Sequence, residues 1–243
     1  MRIIKLNATH STNDYLRALT LDQICKDYLI ITTKSQTRGK GQMGSSWISE
    51  TGKNLTFSVF KRNLNLDVKN QFLLNVVVAL AIHKALYSYE LKHLFVKWPN
   101  DILAEQKKIC GVLVETAIKS NNIDSAILGI GLNVNQLDFN KFPKASSLKK
   151  LTGLDYDLDE LLHSIIESLK YYFNWLEAEK FDELLVAYEE LLFRKEKPST
   201  FKTAEGDLCV GIIKGISKQG LLKVLFEDDN LKTFDLKEIT LLY

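Results

Sequence analysis

The chain has few cysteines and no long apolar run, and each absence excludes a class of protein. Its three cysteines, Cys25, Cys110 and Cys209, are odd in number and widely spaced. This usage disfavours a disulfide framework or a zinc site and predicts three small, buried, reduced thiols. The longest apolar run, Val76 to Ile82, is far shorter than the roughly 20 residues that span a bilayer. The start of the chain has no signal-peptide core, so we expect a cytoplasmic protein without a membrane partner.

Nucleic-acid signatures are absent as well. No Lys/Arg run is interleaved with aromatic residues, which argues against nucleic-acid binding. The net charge of +2 hides an asymmetry, because residues 1–120 contain 17 basic and 9 acidic residues, whereas residues 121–243 contain 15 and 21. The basic half could attract anionic ligands or an acidic partner surface, and it could equally be uneven surface decoration.

The hydrophobic periodicity predicts strands and helices along most of the chain, followed by a compact all-β segment. Strands are predicted at 3–6, 28–33, 54–60, 95–98, 102–104, 108–118 and 125–134, and later at 210–216, 221–226 and 232–236. Helices are predicted at 11–19, 67–89, 157–176 and 181–193, the second of them buried along one face. Residues 195–199 read as a polar hinge. The order of elements predicts an α+β fold with two domains.

A Gly-rich, cationic loop runs from Gln36 to Gly44. Its glycines permit positive φ angles, so successive N–H groups could converge on an anion. The loop is not a Walker P-loop, and although Gly39 to Gly44 have GxGxxG spacing, no helix is predicted after them. Taken alone, the loop is more typical of a flexible connector.

The second candidate cluster is Lys97-Trp98-Pro99-Asn100-Asp101, followed by Lys108. Pro99 ends a strand, and Asn100 and Asp101 present short polar side chains at a turn, from which they could reach a ligand or Mg²⁺. The same residues could simply close a hairpin. Strict strand alternation after Lys108 places it with Cys110 and Val112, on the face opposite Gly111.

Several motifs in this order resemble the catalytic core of biotin protein ligases, the biotin–[acetyl-CoA-carboxylase] ligases. They are Ser11-Thr12-Asn13, the loop 36–47, Gly52 to Leu55, Lys97 to Asp101, Lys108 to Glu115 and Gly129 to Asn133. The resemblance implies a mixed β-sheet catalytic core with flanking helices over residues 1–196, and a small SH3-like β-barrel domain over 197–243. Because the resemblance starts at about residue 3, we expect the monofunctional type, without an N-terminal DNA-binding domain and without DNA as a partner.

The resemblance also implies the reaction. Biotin and Mg·ATP form biotinyl-5′-AMP, and the biotinyl group passes to a lysine of a biotin carboxyl carrier protein. ATP, Mg²⁺ and biotin are thus the expected small molecules, and the enzyme would be a monomer or a homodimer.

The residues expected to act follow from the matching motif positions. Lys108, Asp101 and Lys97 would be catalytic, with Lys108 an electrostatic stabiliser and Asp101 either a Mg²⁺ ligand or the group that orients the acceptor lysine. The expected biotin-binding residues are Ser11, Thr12, Asn13, Gln36, Gly39, Lys40, Gly41, Gln42, Trp47, Lys108 and Gly111. The expected ATP-binding or adenylate-binding residues are Arg38, Lys40, Asn100 and Asn133.

One departure concerns the loop charge, because the family's best-known members have an arginine where this chain has Gln42. The charge that retains the adenylate would then be lower here or supplied by Arg38. Two alternatives are a lipoate- or octanoate-type protein ligase and a biotin-binding module without catalysis. The first lacks the Lys97–Asp101 run combined with Lys108 and Gly111, and the intact Lys97, Asp101 and Lys108 oppose the second.

Overall fold

The computed structural model describes residues 1–89, 91 and 93–243. The elements up to residue 132 are β1 (Arg2–Leu6), α1 (Thr12–Asp22), β2 (Leu29–Thr33), β3 (Leu55–Asp67), α2 (Phe72–Tyr87), β4 (Leu94–Lys97), β5 (Asp101–Ala104), β6 (Lys107–Lys119) and β7 (Asn122–Leu132). The remaining elements are α3 (Leu148–Thr152), α4 (Leu158–Glu177), α5 (Phe181–Glu190), β8 (Pro198–Thr203), β9 (Leu208–Ile216), β10 (Leu222–Phe226), β11 (Leu231–Phe234) and β12 (Ile239–Leu242).

Two β-sheets organise these elements. The first has seven strands in the order β1-β2-β3-β7-β6-β5-β4, with β1 and β2 parallel and the other pairs antiparallel. The second has five antiparallel strands in the order β11-β10-β9-β8-β12. The predicted α+β class with a mixed sheet, flanking helices and a C-terminal all-β unit is confirmed.

Helix α2 differs from its sequence-based prediction. The chain makes a separate 3₁₀ turn at Val68–Asn70, where Asp67 accepts a hydrogen bond from the Lys69 N–H (2.9 Å), and the α-helix starts only at Phe72. The helix is buried on nearly all sides, not on one face, because α4 and α5 cover what the sheet leaves open. The stretch Val68–Tyr87 is long and apolar enough to cross a membrane, but buried core helices have the same composition, and 61% of its most apolar window is buried.

Strands β8 and β12 and the short helix α3 were not predicted. β8 begins at Pro198, inside the supposed hinge, and pairs with β9 on one side and β12 on the other.

The prediction of three buried cysteines is correct for Cys25 and Cys110, whereas Cys209 on β9 is only half-buried because it lies on the small second sheet. All three are free thiols.

Candidate active site

A cleft of about 240 Å³ opens on one face of the seven-stranded sheet. Its walls come from the start of α1, the loop after β2, and the ends of β5, β6 and β7. The predicted site residues that line it are Ser11, Thr12, Asn13, Gln36, Lys40, Gly41, Gln42, Trp47, Lys97, Asn100, Asp101, Lys108 and Gly111. The structure therefore brings together side chains that are up to 100 positions apart in sequence.

One end of the cleft is polar and uncharged. Thr12 donates hydrogen bonds from its N–H (2.8 Å) and its hydroxyl (3.1 Å) to Gln36 Oε1. The fully buried Ser58 on β3 lies 2.7 Å from Thr12 Oγ1 and donates to Asn13 Oδ1 (2.5 Å). Because their rotamers are held by these bonds, the polar groups are preorganised for a neutral ligand with several hydrogen-bonding groups.

A charged pair supports this end from behind. Asn13 donates its amide N–H to Glu115 Oε2 (2.7 Å), and Arg17 forms an ion pair with the same carboxylate. Ser58 and Glu115 do not line the cleft, and sequence reasoning assigned neither a role in the site. Ser58 gave no sequence signal beyond being polar in a buried strand, whereas Glu115 lies within a motif of the resemblance.

Glycines form the floor of the cleft. Gly111 on β6 and Gly131 on β7 are direct cross-strand partners. A Cβ atom at Gly131 would lie 2.7 Å from Cζ2 and Nε1 of Trp47, closer than real contacts allow. The Trp47 indole therefore lies directly on the sheet and forms one wall of the cleft. Its Nε1 is buried and has no hydrogen-bond partner among the described residues.

The opposite end of the cleft is cationic. Lys108 Nζ lies 2.6 Å from Asp101 Oδ1 and 5.9 Å from the centroid of the Trp47 ring. Lys97 is the β4 partner of Asp101. Burial lowers the pKa of Lys97, and the nearby charges of Lys108 and Lys144 lower it further, whereas Asp101 acts in the opposite direction.

The predicted orientation of Lys108, on the face opposite Gly111, is wrong because β6 contains a β-bulge. In the β5–β6 pairing, Ile102 faces Cys110 but Leu103 faces Lys108, so the chain accommodates one extra residue at Ile109. A bulge reverses strand alternation from that point. Lys108 Nζ consequently lies 3.3 Å from where a Cβ of Gly111 would be, on the face that Gly111 shares with the cleft.

The Gly-rich loop, for which the sequence allows either an anion-binding loop or a flexible connector, is folded on itself in the structure. The Arg38 N–H donates to the His10 carbonyl (2.9 Å), and the Gly41 N–H donates to Ser45 (2.7 Å). Lys40 forms an ion pair with Asp14 of α1 (2.7 Å). These groups are thus occupied by partners within the protein, because the loop closes on itself at Ser45 and packs against the start of α1 through Arg38 and Lys40.

Arg38, Gly39 and Asn133 do not line the cleft. Gly39 instead lets the loop close, since its carbonyl accepts from the Trp47 N–H (3.0 Å). Asn133 is 4% exposed and donates to the Ser146 carbonyl (3.0 Å), which anchors the segment after β7. Asn100 does line the cleft but donates its amide N–H to the Val112 carbonyl. Cleft residues that the predicted site omitted are Ser45, Ser46, Thr56, Pro99, Val112, Leu113, Gly129, Ile130 and Gly131.

The described residues contain no cluster of three or more His, Cys, Asp or Glu side chains able to hold a metal ion. Asp101 is the only carboxylate among the described residues that line the cleft. Magnesium in nucleotide sites is usually bound by one or two carboxylates together with substrate phosphates. The donor set therefore fits a metal that arrives with a nucleotide.

Comparison with known families identifies the family of this chain. The model of the Biotin/lipoate A/B protein ligase family matches residues 6–133, which include every strand and loop of the cleft. The chain belongs to this family.

Relatives within the family align over most of the chain. The Bifunctional ligase/repressor BirA of Escherichia coli strain K12 is 28% identical over 225 residues, covering 91% of this chain and 68% of that protein. BirA of Bacillus subtilis strain 168 is 30% identical over 142 residues, 56% of this chain and 43% of that protein. The Biotin--[acetyl-CoA-carboxylase] ligase of Mycobacterium tuberculosis is 27% identical over 218 residues, 88% of this chain and 79% of that protein.

A solved structure of this family matches the whole chain. The biotin protein ligase from Aquifex aeolicus, in complex with biotin and ATP, superposes with a TM-score of 0.82 and 25% identity. The match covers 99% of this chain and 98% of that one. Both sheets and the intervening helices are therefore part of the shared fold.

Proposed function

We propose that this protein is an ATP-dependent, AMP-forming biotin–protein ligase. Family membership narrows the reaction to the attachment of biotin or a lipoyl-type acid to a carrier lysine, and the named relatives favour biotin. The observation that carries the proposal is the cleft itself, which joins an uncharged, hydrogen-bonding end to a lysine-rich end across a glycine floor. Biotin has the same polarity, with a neutral ureido ring at one end and a carboxylate at the other.

The uncharged end favours biotin over lipoate or octanoate. Ser11, Thr12 and Gln36 offer several hydrogen-bonding groups there. A site built to hydrogen-bond a polar ligand discriminates strongly against an analogue that lacks those groups, because the buried polar groups are then left unpaired. The dithiolane ring of lipoate and the alkyl chain of octanoate have no such groups, so both should be poor substrates.

In the first step, a carboxylate oxygen of biotin attacks the α-phosphorus of Mg·ATP. The new oxygen–phosphorus bond makes a mixed anhydride, biotinyl-5′-AMP. The bond between the α-phosphorus and the oxygen that bridges to the β-phosphate breaks, which releases pyrophosphate. Two unit negative charges 4 Å apart repel by about 4 kcal/mol at an effective dielectric of 20. Lys108, which faces the cleft through the Ile109 bulge, offsets this repulsion as an electrostatic stabiliser.

In the second step, the acceptor lysine of the carrier protein attacks the acyl carbon, and AMP leaves. An ordinary lysine has a pKa of about 10.4, so it must lose a proton before it attacks. Asp101 is at the right place to orient this amine or accept its proton, because it lies beside Lys108 at the reacting centre. The same carboxylate can contact the magnesium of the first step, before the amine arrives.

The carrier is a biotin carboxyl carrier domain of a biotin-dependent carboxylase, as the names of the M. tuberculosis and Paracoccus denitrificans relatives suggest. We also propose a catalytic domain over residues 1–196 and an SH3-like domain over 197–243, supported by the start of the second sheet at Pro198. A cytoplasmic location and a monomeric or homodimeric state complete the proposal.

The direct test is incubation of the purified protein with biotin, Mg·ATP and a biotin carrier domain, with the mass of the carrier measured afterwards. We expect one biotinyl group per carrier, and little product with lipoate or octanoate. A carrier that gains lipoyl or octanoyl groups instead would establish the other branch of the family. Biotin binding without ATP–pyrophosphate exchange would establish a non-catalytic module.

Lys108→Ala provides the test of the mechanism. Removing the cation leaves the meeting of two anions uncompensated, so biotin-dependent ATP–pyrophosphate exchange should fall at least 100-fold, about 2.7 kcal/mol in transition-state stabilisation. Circular dichroism should be unchanged, because Lys108 Nζ lies at the cleft surface. Near-normal exchange in the folded variant would remove Lys108 from this role. Lys107→Ala, the neighbouring exposed lysine, is the control.

A further inference from the structure

A tyrosine that follows the last strand of the second sheet contacts two lysines, one of which, Lys97, lines the cleft. Tyr243 follows β12, and its ring centroid is 5.7 Å from Lys97 Nζ and 4.6 Å from Lys144 Nζ. The ring is held from the side by Phe193, with the centroids 5.1 Å apart in a T-shaped arrangement. One aromatic ring thus contacts both cations, and one of them, Lys97, lines the cleft.

Lys144 is tied to the reacting centre through its backbone. Its carbonyl accepts a hydrogen bond from the Lys108 N–H (2.8 Å), and the adjacent Ala145 forms a β-bridge with Lys108. The side chain is exposed, so its ammonium group is accessible to a ligand. The charges of Lys108 and Lys144 both contribute to the lowered pKa of Lys97, and Asp101 contributes to the raised pKa of Tyr243, after burial in each case. These effects agree with the short distances.

The strand order shows where this cluster lies relative to the rest of the site. Ser58, behind the uncharged end, is on β3, Lys108 is on β6 and Lys97 is on β4. Because neighbouring strands are about 4.8 Å apart, the four spacings from β3 to β4 extend roughly 19 Å. Lys108 is between the two ends. Tyr243 lies beside Lys97, and the Lys144 side chain reaches the same ring from the segment that pairs with Lys108.

We propose that Lys144 and Lys97, held together by Tyr243, bind the β- and γ-phosphates of ATP and the pyrophosphate that they become. The inference rests on the proposed function and adds a binding residue, Lys144, and a positioning residue, Tyr243. If the acid and the α-phosphate meet at Lys108, the leaving group must lie away from the acid, and the cations on that side match its charge. Three lysines against the single carboxylate of Asp101 leave an excess positive charge that a polyphosphate would balance.

The test compares Lys144→Ala with the control Lys141→Ala, an exposed lysine of the same segment. In biotin-dependent ATP–pyrophosphate exchange, Lys144→Ala should raise the KM for Mg·ATP and the KM for pyrophosphate about tenfold, the loss expected for one charge-assisted contact. Its affinity for biotin should not change. Its transfer of biotin from synthetic biotinyl-5′-AMP to the carrier domain should also remain normal, because that step involves no pyrophosphate. Lys141→Ala should change none of these values.

Tyr243 is tested by a pair of variants. Tyr243→Phe keeps the ring and should retain the wild-type KM values, whereas Tyr243→Ala should reproduce the defect of Lys144→Ala. In the double variant Lys144→Ala/Tyr243→Ala, the KM values should rise by less than the product of the two single increases, because both substitutions act on the same lysine pair.

Each outcome has one meaning. Unchanged KM values for Mg·ATP and pyrophosphate in Lys144→Ala overturn the inference, and so does a defect in Tyr243→Ala that affects biotin binding equally. Absence of biotin-dependent exchange in the wild-type protein overturns the proposed function itself, which separates the two failures.

Discussion

At the scale of single residues, the site depends on side chains that never touch the ligand cleft. Ser58 is fully buried and contacts both Thr12 and Asn13, while Glu115 holds the Asn13 amide from the other side. Hydrogen bonds to buried groups contribute little net stability but are costly to leave unmade. The supporting residues therefore determine whether the uncharged end has the correct geometry before biotin arrives.

Ser58→Ala should weaken biotin binding about tenfold, the equivalent of 1.4 kcal/mol, because Asn13 Oδ1 would lose its donor. Titration calorimetry with biotin measures the change. The KM for Mg·ATP should stay the same, since Ser58 lies behind the uncharged end of the cleft, away from the lysines. Ser168→Ala, which removes a buried hydroxyl on α4, is the control for a general loss of packing. Equal biotin affinity in Ser58→Ala and wild type would contradict the assignment.

At the scale of elements, two neighbouring strands expose their backbones to the cleft. Gly111 and Gly131 face each other across β6 and β7, and their missing side chains leave room for the indole of Trp47. The sequence motifs included these glycines and Trp47, but they did not predict that the indole packs directly on the glycines. This packing arises because the loop after β2 folds back over strands that are more than 60 residues away in sequence.

Gly131→Ala should displace Trp47 and destabilise the protein by about 1–3 kcal/mol, since the new methyl group would lie within 3 Å of the indole. Urea unfolding measures the loss. In a Trp47→Ala background the same substitution should cost much less, because the clashing ring is gone. Equal costs in the two backgrounds would show that the strain has another source.

At the scale of the whole molecule, the second sheet is connected to the catalytic turn. Trp98 donates its indole N–H to the Gly220 carbonyl (2.8 Å), and the buried Tyr188 donates its hydroxyl to the Pro99 carbonyl (2.9 Å). Glu189 accepts from the Ile216 N–H (2.7 Å) at the same junction. The turn that carries Lys97 and Asp101 is thus fixed by α5 and by the loop before β10.

Trp98→Phe should loosen this connection by at least about 1 kcal/mol, since the hydrogen bond to Gly220 is lost together with part of the ring's packing against the core. Hydrogen–deuterium exchange should increase in residues 97–101 and also in 217–221, because each segment restrains the other. Trp175→Phe on α4 serves as the control and should alter neither segment. Unchanged exchange in both segments of Trp98→Phe would exclude the connection as a restraint.

The sequence by itself determined the element types, the mixed α+β class and most cleft residues, because apolar periodicity and the ordered motifs are local properties of the chain. It did not reveal β8, which is largely polar and begins with a proline inside the predicted hinge, or β12, which has only four residues and pairs with β8 across the intervening strands. The side on which Lys108 lies, the pairing of Lys40 with Asp14, and the place of Tyr243 beside Lys97 were decided only by the tertiary structure. A one-residue bulge and long-range packing leave no periodic signal, since they depend on which partner the folded chain brings near.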